Sequence, residues 1–303
     1  MSTTVALTGA TGFIGGAISR QLLAGGIRVQ ALSRRPDRGG DGIEWIAGSL
    51  EDPEALSCLV AGADAVIHCA GAVRGASAAA FRQTNVDGSR RLMAAAQATG
   101  QCQRFLAMSS LAARHPDLSW YAASKREAEE QLLAEAGDMA LTLFRPTAVY
   151  GPGDRELRPL FEWLLRGWLI VPGRPGSCLT FLHVEDLAAA VVSWLTAPDP
   201  ISGIFELHDG RPGGYDWPAI AATGELVRHG SVRSIAAPQR LLGGIATANL
   251  AVSRLFGLEP MLTPSKLHEL RHPDWLCDNG PLMRALNWAP QLQLARALAE
   301  RRF

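Results

Sequence analysis

Residues 8–15, TGATGFIG, constrain the fold more than any other stretch of this sequence. They follow a short β-rich run and precede helix-spaced apolar residues at 13–24. Glycines at positions 9, 12 and 15 suit a tight turn, a close backbone approach to a pyrophosphate, and close packing of a helix on a strand. Because the motif opens a strand–helix–strand unit, it predicts a dinucleotide-binding fold.

The same alternation of strands and helices continues through the first half of the chain. Strands that alternate with helices predict a parallel sheet covered by helices on both faces. The predicted strands lie at residues 4–7, 29–32, 43–46, 64–69, 104–108 and 141–144, and the predicted helices at 13–24, 53–60, 78–98 and 121–136.

These elements predict a doubly wound parallel α/β sheet of the Rossmann type over residues 1–151. From 152 to 303 the alternation breaks down and Pro, Gly and Trp become frequent. We expect a small, mostly helical substrate-binding region there. Residues 181–208 are the exception, because their pattern predicts one more helix and strand that return to the Rossmann sheet.

Composition limits the classes of partner. Lys plus Arg and Asp plus Glu number 29 each, so no net charge attracts nucleic acid. The five cysteines lack CxxC spacing, which argues against a disulfide framework and a zinc site. The start of the sequence shows no leader pattern, and the longest nearly uncharged stretch, 241–253, is shorter than the ~20 residues that span a bilayer. We therefore expect a cytoplasmic protein without a transmembrane span.

The end of the second predicted strand distinguishes the two nicotinamide dinucleotides. An NAD site usually has an acidic residue there, about 20 residues beyond the glycines, to hold the ribose hydroxyls. Here Ser33 takes that position, and Arg34 and Arg35 follow. The missing carboxylate and the positive charge favour NADP over NAD, although two arginines on a loop could also be simply solvated.

The stretch at 109–125, SSLAARHPDLSWYAASK, carries candidate acid–base residues. Tyr121 and Lys125 are four apart on a predicted helix and share one face. A tyrosine can exchange a proton with a substrate oxygen, an ammonium group lowers the tyrosine pKa, and a serine hydroxyl can hold the reacting oxygen. Each residue alone has an ordinary explanation, since serines at strand ends often only form turns.

Seven motifs in order resemble the extended short-chain dehydrogenase/reductase family, also called the NAD-dependent epimerase/dehydratase family: TGATGFIG, DAVIHCAG, TNVDG, SSL, YAASK, RPTAVYGPG and FLHVEDLA. The resemblance implies that Ser110 is the catalytic serine, Tyr121 the general acid/base, and Lys125 the residue that binds the nicotinamide ribose and lowers the tyrosine pKa. The cofactor-binding residues that we predict are Gly9, Thr11, Gly12, Phe13, Ile14, Gly15, Ser33, Arg34, Arg35, Ser49, Leu50, Ala70, Gly71, Tyr121, Lys125 and Pro146.

The sequence departs from the family pattern at several positions. Ser49 replaces the aspartate that commonly binds adenine, so recognition would rest on weaker contacts or on the backbone near Leu50. Residues 111–112 lack the Asp-Glu pair of sugar dehydratases, and Ala148 replaces the asparagine that nucleotide-sugar enzymes use. The short interval between residues 110 and 121 leaves open whether Ser109 or Ser110 is the working hydroxyl, and it predicts a pocket less covered on that side.

A metal site is not expected. His183 precedes a predicted helix that begins with Glu185 and Asp186, which could suggest metal ligands. Acidic residues in a first helical turn, however, ordinarily stabilise the positive end of the helix dipole.

The region after residue 151 is rich in apolar side chains, at 163–170 and along a predicted helix at 241–258. One interpretation is a lid that packs on itself or on a partner subunit, as in a homodimer, since a helix that is apolar all round is usually buried. The other is a pocket, or a mouth in peripheral contact with a membrane, for a hydrophobic ketone such as a 3-oxo lipid, a sterol-like compound or a 3-ketosphingolipid. Ala148 favours the second interpretation.

We therefore predict NADP-dependent hydride transfer between the nicotinamide and a carbonyl/secondary-alcohol pair of a small hydrophobic molecule. A nucleotide-sugar epimerase, which uses the same residues, is the first alternative. A dinucleotide-bound assembly subunit without catalysis is the second, although such a scaffold has no need of an activated tyrosine.

Overall fold

A computed structural model describes residues 3–35, 42–174, 176–256 and 263–303 of the chain. The strands are β1 (Thr4–Thr8), β2 (Arg28–Ser33), β3 (Ile43–Ala47), β4 (Ala65–His68), β5 (Arg104–Met108), β6 (Ala140–Pro146), β7 (Ala148–Tyr150), β8 (Trp168–Val171), β9 (Phe181–His183), β10 (Gly203–Leu207) and β11 (Arg233–Ala236).

The α-helices are α1 (Phe13–Ala24), α2 (Pro53–Val60), α3 (Ala78–Arg82), α4 (Gly88–Ala98), α5 (Trp120–Glu135), α6 (Arg158–Leu165), α7 (Val184–Thr196), α8 (Trp217–Arg228), α9 (Gln239–Phe256), α10 (Pro264–Arg271), α11 (Gly280–Leu286) and α12 (Leu294–Ala299). A π-helical turn, Gln83–Asp87, connects α3 to α4, and two 3-10 turns, Leu111–Arg114 and Pro116–Leu118, connect β5 to α5.

Seven strands form the central sheet in the order β10-β6-β5-β4-β1-β2-β3, and every neighbouring pair is parallel. The chain moves from β1 to β2 on one side and later places β4 on the other side of β1. Ligands of open α/β sheets bind at such a switch point, beyond the carboxyl ends of the strands. The predicted Rossmann-type fold is therefore confirmed, and the crevice at the ends of β1 and β4 is the expected binding position.

Apolar burial explains why the sheet forms where it does. All five residues of β1 and all four of β4 are buried, as expected for strands covered on both faces. One face packs against α1 and α7, where Leu22 and Trp194 are buried, and the other against α2 and α4, where Leu59 and Leu92 are buried. Each such side chain contributes about 1.5–3 kcal/mol by leaving water.

The C-terminal half adds helices and two small parallel sheets, β7 with β9 and β8 with β11. Their core contains a cluster of aromatic side chains, including Tyr150, Phe161, Phe181 and Tyr215. On α9, the small residues Ala246 and Ser253 are buried. No helix among the described residues is long and apolar enough to cross a membrane.

Candidate active site

The glycine loop has the shape that a phosphate-binding turn requires. Gly9 has φ +76°, and a Cβ atom there would lie 2.7 Å from Ala70 N, so only glycine fits against the loop after β4. A Cβ on Gly15 would lie 2.2 Å from Gly9 O, which shows that α1 packs directly on the turn. At Gly12 a Cβ would meet only Gly9 O within 4 Å, at 3.2 Å.

The N-terminus of α1 suits an anionic group. Gly12 precedes the helix and supplies no side-chain cap, and the first turn holds no acidic residue. The first N–H groups of a helix lack intrahelical partners and attract phosphate. The observed loop therefore fits the dinucleotide pyrophosphate, with Thr11, Phe13 and Ile14 around it.

The ends of β2 and β3 lie at the same carboxyl edge of the sheet as the glycine loop. Ser33 Oγ accepts a hydrogen bond from Arg35 N at 3.1 Å and donates one to Arg35 O at 3.0 Å. The hydroxyl therefore shapes the loop, and Arg34 and Arg35 are exposed. Ser49 Oγ accepts a hydrogen bond from Glu51 N at 3.2 Å, so Ser49 also forms a local turn. The cofactor contacts of these residues stay predictions.

The loop after β4 brings the cofactor edge to the acid–base residues. Asn85 Nδ2 donates to Ala72 O at 3.0 Å and to Ser124 Oγ at 2.9 Å, which ties this loop to α5. A Cβ on Gly71 would lie 3.2 Å from Lys125 Nζ. Gly71 thus lets the lysine approach the loop backbone. Leu50 packs against the start of α4 and Pro146 ends β6, and the cofactor contacts of both stay predictions.

Tyr121 stands at the first turn of α5, beside Ser110. The Ser110 side chain is close enough to Tyr121 to lower the tyrosine pKa, and Ser110 Oγ accepts a hydrogen bond from Ala112 N at 3.2 Å. Lys125 Nζ lies 5.9 Å from the centre of the Tyr121 ring and donates to Met108 O at 2.8 Å. The three predicted catalytic side chains therefore meet at the carboxyl edge of the sheet.

Ser109 points into a different environment. It is buried and its Oγ donates a hydrogen bond to Glu129 Oε1. Glu129 in turn accepts from Arg145 Nε at 2.8 Å, and only 9% of the Arg145 side chain and 2% of the Glu129 side chain are exposed. Ser109 therefore hydrogen-bonds the buried ion pair of Glu129 and Arg145, while Ser110 faces the tyrosine.

The electrostatic environment affects each titratable group differently. Burial raises the pKa of Tyr121, whereas the Ser110 hydrogen bond and the Lys266 charge lower it. Burial lowers the pKa of Lys125 to about 8. His68 is buried between Thr8 Oγ1 and Ser89 Oγ, and burial lowers its pKa to about 3. His68 is thus a neutral structural residue.

Sequence reasoning missed the contribution of α10. Lys266 Nζ lies 5.5 Å from the centre of the Tyr121 ring and donates to Glu269 Oε2 at 2.8 Å. Glu269 Oε1 accepts a hydrogen bond from Ser119, the residue that caps α5. These contacts span about half of the chain, so no local pattern indicates them. Lysine usage does give a signal, because the sequence has only two lysines and both lie beside Tyr121.

The expectation of a less covered pocket beside residues 110–121 stays a prediction, but the segment itself contacts the C-terminal region. Arg114 Nη1 donates to Leu276 O at 2.6 Å, and the His115 ring lies 4.1 Å from the His272 ring and 5.7 Å from the Trp275 ring. The C-terminal region covers this segment because the two 3-10 turns place Arg114 and His115 against it.

The residues considered for a metal have other roles. His183 Nδ1 accepts a hydrogen bond from Glu185 N at 3.2 Å, and Asp186 Oδ2 accepts one from Leu292 N at 2.9 Å. Within the part of the chain that the structure describes, no group of three His, Cys, Asp or Glu side chains could hold a metal ion.

Several known proteins are similar to this chain in sequence. Residues 5–207 match the model of the NAD dependent epimerase/dehydratase family. A ceramide reductase of Caulobacter vibrioides is 38% identical, over 92% of this chain and 87% of its own length. A 2-alkyl-3-oxoalkanoate reductase of Stenotrophomonas maltophilia is 29% identical over 97% of both chains.

Solved structures share the fold of this chain. The structure of MoeE5 in complex with UDP-glucose and NAD has a TM-score of 0.75 at 22% identity, and the match covers 98% of this chain and 96% of that one. Similarity at this level of identity shows a common fold.

Proposed function

Because the chain belongs to the NAD-dependent epimerase/dehydratase family and is an NAD(P)-dependent oxidoreductase of the extended short-chain type, we propose that it reduces a ketone of a lipid-like substrate with NADPH. The observation that carries the proposal is the meeting of Ser110, Tyr121 and Lys125 beside the switch point of the sheet. Such a set is what proton transfer to a substrate oxygen requires.

The proposed roles follow from the positions. The bound dinucleotide would supply the hydride for the carbonyl carbon. Tyr121 donates a proton to the substrate oxygen, and the Ser110 hydroxyl hydrogen-bonds the negative charge that develops on it. Lys125 supplies positive charge beside the tyrosine and lies against the loop of Gly71, where the nicotinamide ribose would be bound.

Three observations support a lipid-like substrate. The two similar reductases are named for ceramide and for 2-alkyl-3-oxoalkanoate, both compounds with alkyl chains. Ala148 offers no side-chain amide for a sugar hydroxyl. We propose that residues 152–303 mainly form the substrate region, which presents exposed apolar side chains such as Ile245 and Val252 on α9.

The preference for NADPH rests on Arg34 and Arg35. Both are exposed at the end of β2, where a 2′-phosphate would lie, and Ser33 leaves no carboxylate to repel it. Arginine binds phosphate through charge-assisted, often bidentate hydrogen bonds.

We further propose peripheral contact with a lipid surface. Trp168, Ile170 and Ile235 share one face of the β8–β11 sheet and are 37%, 51% and 47% exposed. The Arg233 guanidinium lies 5.7 Å from the centre of the Trp168 ring. Tryptophan with arginine is a combination that favours the membrane interface. A cytoplasmic location and a homodimer remain predictions.

A substrate panel tests the function. NADPH oxidation is followed with an N-acyl 3-ketosphingolipid and a 2-alkyl-3-oxoalkanoate, and the interconversion of UDP-glucose and UDP-galactose is followed by separating the two sugars, using wild type and Tyr121→Phe. We expect reduction of at least one alkyl ketone and a loss of at least ~100-fold in turnover for the variant, with cofactor affinity kept. Interconversion of the UDP-sugars with inert ketones would favour the epimerase alternative. Binding of dinucleotide without any turnover would favour the assembly subunit.

A further inference from the structure

We propose that Lys266 is a positioning residue for proton transfer, and that α10 completes the acid–base site by placing this ammonium group beside Tyr121. This inference rests on the proposed role of Tyr121. It assigns a function in the chemistry to a residue that lies outside every motif of the first half of the chain.

The usage of basic residues first indicates Lys266. Only two of the 29 lysine and arginine residues are lysines, Lys125 and Lys266. Their Nζ atoms lie 5.9 Å and 5.5 Å from the centre of the Tyr121 ring. Lysine is a compact point charge, whereas arginine is a planar fork that suits bidentate pairing. A chain that otherwise uses arginine thus has its two ammonium groups at one tyrosine.

A buried network holds Lys266 in this place. Ser119 Oγ accepts a hydrogen bond from Ala122 N at 2.9 Å and so caps α5, the helix that carries Tyr121. The same oxygen donates to Glu269 Oε1, and Glu269 Oε2 accepts from Lys266 Nζ at 2.8 Å. Ser119 and Glu269 are each 7% exposed. One carboxylate therefore connects the start of the tyrosine helix to the lysine of α10.

Several charged groups surround the tyrosine, and they belong to different elements. Lys125 lies on its own helix, and Lys266 and Glu269 lie on α10. The ion pair of Arg74 and Glu156 lines the same pocket as Tyr121 and Lys266. The Ser110 hydroxyl is an uncharged group beside the tyrosine.

Proton transfer from Tyr121 leaves a phenolate in a partly buried site, which is costly without positive charge nearby. Burial raises the tyrosine pKa, Lys266 lowers it and Glu269 raises it. The two residues of α10 thus act on Tyr121 with opposite sign. An ordinary helix-surface pair three residues apart would stabilise α10 slightly and leave the tyrosine unaffected.

Because Lys266 and Glu269 shift the Tyr121 pKa in opposite directions, replacing each residue tests the inference. The full-length enzyme is assayed in the alcohol-oxidation direction, where Tyr121 acts as base, and kcat/KM is measured from pH 6 to 10. At a separation of about 6 Å and an effective dielectric constant of about 20, one charge shifts a pKa by about two units, and because 36% of the Lys266 side chain is exposed, solvent screening reduces this to about one. We expect the midpoint to rise by about one pH unit in Lys266→Met and to fall in Glu269→Gln.

Controls separate charge from structure. Lys266→Arg keeps the charge and should keep the midpoint, even where its larger side chain lowers kcat. Thermal unfolding shows whether each variant folds, and Lys266→Arg and Glu269→Gln still test the idea if Lys266→Met does not. Midpoints that stay fixed, or that move in the same direction in Lys266→Met and Glu269→Gln, would overturn the inference. Retained turnover in Tyr121→Phe would instead overturn the proposed function.

Discussion

Exchanging Ser109 and Ser110 for alanine, one at a time, separates stability from catalysis. Ser109 donates a hydrogen bond to the buried Glu129 carboxylate, which also binds Arg145. A hydrogen bond to a charged group contributes about 1.5–3 kcal/mol, and because Glu129 keeps its arginine we expect the lower part of that range for Ser109→Ala. The melting temperature should fall by a few degrees, since about 1 kcal/mol corresponds to about 2–4 °C in a domain of this size.

Ser110→Ala should show the reverse. Its hydroxyl contacts Ala112 N and the Tyr121 side chain, at a position that remains partly accessible. Loss of one hydrogen-bond donor at a developing oxyanion lowers kcat by about 100- to 1,000-fold. NADPH oxidation with the best ketone and thermal unfolding of both variants are the measurements. The reasoning is refuted if Ser109→Ala loses turnover at unchanged stability while Ser110→Ala stays active.

Four further outcomes are expected. Arg34→Ala should weaken NADPH binding by about 2 kcal/mol and leave NADH binding unchanged in fluorescence titrations, and a wild type that prefers NADH would contradict this. Gly12→Ala should lose dinucleotide affinity because its Cβ obstructs the pyrophosphate, and it should lower the melting temperature only slightly because the Cβ meets one loop carbonyl, at 3.2 Å. His68 has a folded pKa of about 3 against 6.5 unfolded, so stability is full above pH 6.5 and falls as the pH drops toward 3. At pH 5 the loss is about 2 kcal/mol, and urea unfolding of His68→Gln should show a smaller drop. Trp168→Ser should reduce co-sedimentation with anionic vesicles, whereas Trp163→Ser, on α6 outside the β8–β11 sheet, should not.

Short sequence patterns predicted the features that depend on neighbouring residues alone. The glycine loop, the strand ends and the pair Tyr121–Lys125 each lie within a few residues of sequence, so turn geometry and helical spacing were enough to place them. Of the predicted helices, 13–24 and 53–60 agree with α1 and α2, whereas 78–98 is interrupted by a π-helical turn. That turn carries Asn85, whose amide ties the loop after β4 to α5.

Contacts between distant segments were not predictable in the same way. The hydrogen bond between Ser119 and Glu269 joins residues 150 apart, and the hydroxyl of Ser109 donates a hydrogen bond to a carboxylate on another element. Both contacts depend on how helices pack on the finished sheet, which no short pattern encodes. For this reason, spacing alone could not decide whether Ser109 or Ser110 is the working hydroxyl. The structure distinguishes them, because only Ser109 donates to Glu129.

The two lysines also differ in what they can do for the tyrosine. The exposed ion pairs Arg74–Glu156 and Arg82–Glu127 use arginine, whose charge does not titrate near neutral pH. Burial lowers the pKa of Lys125 to about 8, so this ammonium group can release a proton close to physiological pH. Burial lowers the pKa of Lys266, but the Glu269 carboxylate together with Tyr121 and Glu156 raises it overall. Lys125 is therefore suited to exchange a proton close to physiological pH, and Lys266 is suited to stay protonated beside Tyr121, so the two lysines of this site differ in their chemistry.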